Sequence, residues 1–198
     1  MTATPPPVTD AARRLLSAAA EAFGSRGFHG SSTRDIASRA GLSPAAMYVH
    51  FRSKEELLFQ LSRSGHEQAL TLVRDAVASR STPPAQLAEL MTRFTVWHVN
   101  HYATARVVYH EFPHLSPRHQ QALRAIRRDL DRAFHQVLRA GNASGDFEVA
   151  DVEDTAFALV SLVVDVARWY SPSVRRGTAQ IAQTNATLAL RMVGHRDR

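Results

Sequence analysis

Three helix starts are crowded into the stretch Ser31–Leu58, SSTRDIASRAGLSPAAMYVHFRSKEELL, and that crowding leaves the chain little choice of local fold. Ser32 and Thr33 offer side-chain oxygens to the free N–H groups of a first helix, and Asp35 puts an acid at the positive end of its dipole. That helix carries Ile36, Ala37 and Ala40. Gly41 can end it in the left-handed conformation, with Leu42 as the apolar anchor of the turn. Ser43 then caps a second short helix that has Pro44 at its first position and runs to about His50. A third start, the S-x-x-E capping box Ser53–Glu56, opens a long amphipathic helix through Leu57, Leu58 and Leu61. Two short helices joined by a turn of about 3–4 residues containing Gly form a helix-turn-helix, whose second helix can enter a DNA major groove.

The segment ahead of this motif supplies the missing wall. From Asp10 to Arg26, Leu15, Leu16, Ala19, Ala20, Ala22 and Phe23 recur at helical spacing. Phe23, Phe28, Ile36, Leu42, Phe51 and part of Tyr48 are the expected small core of a three-helix headpiece. Residues 1–9, with Pro5 to Pro7, read as a flexible arm. The division expected is therefore an arm over 1–9, a DNA-binding domain over 10–52, and a ligand-binding and dimerisation domain over 53–198.

The exact string adds to the spacing. T-x-D-I-A from Thr33, A-G-L-S from Ala40 and M-Y-V-H-F-x-S-K-E-E-L-L from Met47 resemble the DNA-binding domain of the TetR family of bacterial transcriptional regulators, from Leu15 to Leu61. The resemblance implies an all-α dimeric regulator, most often a repressor, that binds a palindromic operator as double-stranded DNA. It implies that Tyr48 and His50 bond phosphates, that Lys54 meets a phosphate, and that Thr33 and Arg34 contact the flanking backbone or a base. The residues themselves say that the second helix, with Ser43, Pro44, Ala45, Ala46 and Val49 outward, has no long bidentate base reader. It can lie close to the groove floor, so specificity leans on Arg34 and on DNA shape.

The remaining chain reads as helices, about nine in all with no strand: Ser53 to Arg80, Gln86 to His101, Ala103 to Phe112, Pro117 to Arg139, Asp151 to Tyr170 and Thr178 to Val193, with a loop over Gly141 to Phe147. The helix at Asp151 is apolar on nearly every side. Leu159, Leu162, Val163 and Val166, with Ile181, Leu188 and Met192 of the last helix, are the expected dimer interface. The resemblance implies the same arrangement, a four-helix bundle shared between two subunits.

An effector site is sought among the aromatic residues of the central helices. Phe94, Trp97, His98, His101, Tyr102 and Tyr109 form a first group; Phe112, Phe134, Phe157 and Trp169 form a second. Such a stripe reads equally as plain core, although buried indole and phenol groups need partners. The tail DVARWYSP, Asp165 to Pro172, resembles that of regulators of steroid and fatty-acyl catabolism, which implies an acyl-CoA effector. Arg168 with Arg124, Arg127 and Arg128 would then face phosphates, and Trp169 would face the acyl group. The other reading makes Asp165 and Arg168 a helical ion pair and the arginines a solvated face.

Composition trims the alternatives. The chain has 198 residues, a net charge of +6 and no cysteine, so thiol chemistry is excluded and a polyanionic partner is favoured. No run suits a membrane span and the N-terminus does not read as a secretion signal, which leads to the expectation of a cytoplasmic protein without a membrane partner. No G-x-S-x-G elbow or phosphate-binding loop is present, so no enzyme is expected, and no cofactor is implied. Two other readings stay open: a metal-responsive regulator using His98, His101, His110, Glu111 and His114, and a helical sensor or structural dimer without sequence-specific DNA binding.

Overall fold

The computed structural model describes residues 9–196, so all of the expected arm except Thr9 lies outside the described residues. Its helices are α1 (Asp10–Arg26), α2 (Thr33–Arg39), α3 (Pro44–His50), α4 (Lys54–Ala78), α5 (Pro83–Asn100), α6 (Tyr102–His110), α7 (Pro117–Ser144), α8 (Val152–Val164), α9 (Val166–Trp169) and α10 (Thr178–Met192), with a 3-10 turn at Phe112–His114. With α9 counted as the continuation of α8, the described residues hold the nine expected helices and no strand.

The local signals explain the headpiece. Ser32, Ser43 and Ser53 each accept a hydrogen bond from the backbone N–H three residues on, at Asp35, Ala46 and Glu56. Gly41 takes φ 65° between α2 and α3. The headpiece core holds Phe23, Ile36 and Phe51 as expected, but its recognition helix is anchored by Met47, which is fully buried, while Tyr48 is 53% exposed. This core is not closed on itself. Val107 of α6, Leu115 just ahead of α7 and Leu123 of α7 belong to it, so the boundary expected at 52/53 runs through continuous packing.

Three elements depart from the sequence-based expectation for local reasons. Helix α7 runs past Arg139 to Ser144 and ends at Gly145 in the left-handed conformation. Composition made this stretch look like a loop, yet the helix continues because Gly141 leaves room for Phe147 to fold back on it: a Cβ at 141 would lie 1.9 Å from Phe147 Cδ2. Asn142 then clasps the returning strand of chain through both the N–H and the C=O of Val149.

The long apolar helix is broken at Asp165, where the Arg168 N–H bonds back to the Asp165 carbonyl and tightens the turn. Arg106 of α6 donates to the carbonyls of Ala167 and Tyr170, satisfying the end of α9. The last departure is in burial. Leu159, Val163, Val166 and Ile181, expected at the dimer interface, are buried in the protomer's own core because α8 and α10 pack inward against α5. They underlie the outer face rather than form it. That face presents Phe157 at 76% exposure with Leu188 and Met192, while Leu162 is half-buried against the core.

Candidate functional site

The reading head projects from the end of the molecule formed by α2 and α3. Ser43, Pro44 and Ala45 are exposed and Ala46 half-buried, so the first turn of α3 presents small side chains that allow close approach. Arg34 is exposed at the start of α2, and Thr33 Oγ1 lies 3.3 Å from the Tyr48 hydroxyl, which brings two of the expected backbone contacts together. His50 is half-buried at the end of α3, and Val49, at 81% exposure, is the most outward apolar side chain of that helix.

Lys54 sits differently from its neighbours. Its ammonium donates to the carbonyls of Phe28 at 2.6 Å and Ser31 at 2.8 Å, and it lies 4.3 Å from the centre of the Phe28 ring. It ties the α1–α2 loop to the first turn of α4. Next to it Glu55 accepts from the Ser116 N–H at 2.8 Å and from His119 Nδ1 at 2.8 Å. Burial pushes the Glu55 carboxyl up, but those two partners outweigh it and hold the group below its ordinary range. The His119 ring stacks on Phe59 with centres 3.7 Å apart. Adjacent residues of α4 thus grip the headpiece and the start of α7.

Between α4, α5, α7 and α8 lies a cavity of about 480 Å³, within the range of small-molecule sites. Its apolar wall is Phe94, Leu130, Ala156, Phe157, Val160 and Val164; its polar wall is His66, Tyr109, Arg127, Asp131, His135 and Glu153. A narrow extension of about 50 Å³ shares His66, Phe94, Tyr109 and Leu130 and continues to Ser62, Trp97 and His98. Of the aromatic candidates, Phe94, Tyr109, Phe157, Trp97 and His98 therefore converge on one connected space. Phe112 lies beneath it, 4.5 Å from the Arg127 guanidinium.

The others do not converge. Phe134 is wholly buried core, and Tyr102 packs on Tyr170. His101 stacks on Trp97 at the surface. Asp165 and Arg168 form a surface ion pair at 2.6 Å and Trp169 is 40% exposed beside it, all outside the cavity lining. The central histidines do not gather either: among the described residues the one group with metal-ligand spacing is Glu55, Glu56 and His119, at the α4–α7 junction.

Sequence reading missed His66, Asp131, His135 and Glu153. A signal was present: Arg127, Asp131 and His135 recur every four residues, a polar stripe beside the apolar stripe of α7. Glu153 is exposed at the rim, whereas the inner wall is dry. Burial pushes His66 down to about 4 and His98 likewise to about 4, and burial pushes the Tyr109 phenol up to about 12. Neutral His66 has both nitrogens engaged, Nδ1 donating to the Ser62 carbonyl at 2.7 Å and Nε2 accepting from Arg127 Nε at 2.9 Å.

Both the sequence and the fold have known relatives. The family model "Bacterial regulatory proteins, tetR family" matches residues 9–61, and the model "Tetracyclin repressor-like, C-terminal domain" matches residues 80–193. The chain belongs to the TetR family. This TetR regulator is 31% identical over 179 residues to the HTH-type transcriptional repressor KstR2 of Rhodococcus jostii, covering 85% of this chain and 87% of that one. A tetR-family regulatory protein from Rhodococcus RHA1 superimposes with a TM-score of 0.90 at 36% identity, covering 96% and 100% of the two chains. The ketosteroid transcriptional regulator KstR2 of Mycobacterium tuberculosis gives a TM-score of 0.82 at 28% identity, covering 94% and 96%. The protein is a DNA-binding transcriptional regulator of the ligand-responsive TetR type, and no described helix is long and apolar enough to cross a membrane.

Proposed function

We propose that the protein is a cytoplasmic repressor, without catalytic activity, that binds a palindromic operator as a homodimer and is released by a small apolar or acyl-CoA-type effector. The observation that carries this reading is the route from the cavity to the reading head. His66 on the cavity wall and Lys54 on the headpiece are residues of one uninterrupted helix, α4. Glu55 fastens that helix to α7, which supplies the opposite wall. A molecule that fills the space between α4 and α7 changes the angle at which α4 carries the headpiece. It thereby favours a population of dimers whose recognition helices no longer match half-sites about 34–36 Å apart.

The partner copy covers Phe157, Leu188 and Met192, the outward apolar side chains of α8 and α10. On the DNA, Arg34, Thr33 and Tyr48 hold the backbone, while the small side chains Ala45 and Ala46 approach base edges; Lys54 positions the head instead of meeting phosphate. The relatives named for steroid regulation support an effector with a bulky apolar body. A cavity of about 480 Å³ takes the acyl part of a thioester and leaves its nucleotide outside. Fluorescence anisotropy with duplex DNA from the gene's own upstream region, against a scrambled duplex at two salt concentrations, tests the reading. Affinity higher by orders of magnitude for the first duplex is expected; equal and steeply salt-dependent binding to both would overturn it.

A further inference from the structure

Among the described residues, two buried side-chain polar atoms lack any hydrogen-bond partner, Arg127 Nη2 and Ser62 Oγ, and both residues line the connected cavity. Arg127 reaches the space from α7 with its Nε on neutral His66, and its guanidinium lies over the Phe112 and Tyr109 rings. It is absent from the ion pairs that bind Arg74, Arg132 and Arg139 of the same region to carboxylates. A cation fixed by two rings and an imidazole, with one N–H₂ group buried and unpaired in the wall of a largely apolar cavity, is an incomplete arrangement: it has a donor and a charge but no ion-pair partner within reach.

The geometry points to a carboxylate on the effector as the missing partner: the molecule that enters this cavity is an apolar acid whose carboxylate pairs with the Arg127 guanidinium. The inference rests on the effector reading above and narrows it. An acyl thioester qualifies only when its acyl part keeps a second acid group.

The other charges on the cavity wall do not cancel this one. Glu153 is engaged at the rim by His135 at 3.2 Å and Arg139 at 3.0 Å. Asp131 feels the Arg127 charge but makes no ion pair with it, and burial outweighs that attraction and pushes its carboxyl above the ordinary range. Burial also pushes Arg127 down, so the charged guanidinium is poorly solvated where it stands and an arriving anion compensates that burial. The apolar wall of Phe94, Leu130, Ala156 and Val160 takes the hydrocarbon.

The test compares linear carboxylic acids from butanoate to dodecanoate with the primary alcohols of equal length, at about pH 7.5, where the acids are ionised. Binding is read from Trp97 fluorescence in a Trp169→Phe background, which removes the second tryptophan, and operator release from anisotropy. Wild-type protein is expected to bind the best acid about tenfold or more tighter than its alcohol. Arg127→Met should abolish that preference while leaving the alcohol unchanged. Arg127→Gln, which keeps a donor for His66 without the charge, should do the same and serves where the methionine variant folds poorly. Acids and alcohols binding wild type alike, or a preference that survives both substitutions, would overturn the role of Arg127 and leave the effector reading standing. Binding of neither series would overturn both.

Discussion

The headpiece and the cavity differ in how far apart in the chain their working contacts are made. Each headpiece helix is started by the residue just before it, with Ser32, Ser43 and Ser53 capping their own first turns, and its one buried recognition-helix side chain, Met47, lies within the motif. The cavity is held by pairs such as Arg127 with His66 and Glu55 with His119, which join α4 to α7. The reading head is therefore specified as a local string that tolerates no reordering. The cavity, the proposed effector site, is specified by packing between elements far apart in the chain.

The largest expected effect lies in the body. Gly141→Ala would drive a Cβ into the Phe147 ring, with contacts at 1.9 and 2.3 Å, and should cost about 3 kcal/mol by urea denaturation. Gly177→Ala, facing open space, is the control and should change stability little. Met47→Ala attacks the other region. It empties a fully buried site and should cost about 2–4 kcal/mol. Operator binding should fall while the response of Trp97 to ligands persists; loss of both together would break the distinction between the two regions.

A third expectation concerns pH and belongs to the cavity alone. His66 and His98 stay neutral in the fold down to about 4, whereas in the unfolded chain they take up protons near 6.5. Between those values the unfolded state binds more protons, so stability is full above about pH 6.5 and is lost as the pH falls toward 4. Each histidine contributes on the order of 2 kcal/mol to that loss, and replacing both with Gln should flatten the profile in this window. A flat wild-type profile between pH 6.5 and 4 would contradict the dry environment assigned to them.

The smaller effects sharpen the division within the reading head. Lys54→Met removes two bonds to the Phe28 and Ser31 carbonyls and should cost about 1–2 kcal/mol of stability, seen as earlier headpiece unfolding. If Lys54 met phosphate instead, stability would be unchanged and the salt dependence of DNA binding would fall. Arg34→Ala should leave stability unchanged and reduce the logarithmic salt slope of operator binding by about 0.9 per half-site. An unaltered slope would remove Arg34 from the DNA contacts.

The sequence by itself determined the headpiece nearly residue by residue: helix starts at Ser32, Ser43 and Ser53, a left-handed Gly41 and an outward Arg34 all follow from caps and spacings that act within a few residues. It also determined an all-helical body, because apolar period alone decides helix. What only the tertiary structure decided was which face of each helix is used and what meets it. It placed Arg127 in the cavity wall while Arg124 and Arg128 stayed in solvent, and it set the Lys54 ammonium against the carbonyls of Phe28 and Ser31. It buried Leu159 and Val163 under the face they were expected to form and left Phe157 outside. Capping and turn energies depend on neighbours in the chain and so can be read from it. Burial, and the charge states and vacant hydrogen bonds that come with it, depend on neighbours in space, which α4 and α7 acquire only when they pack.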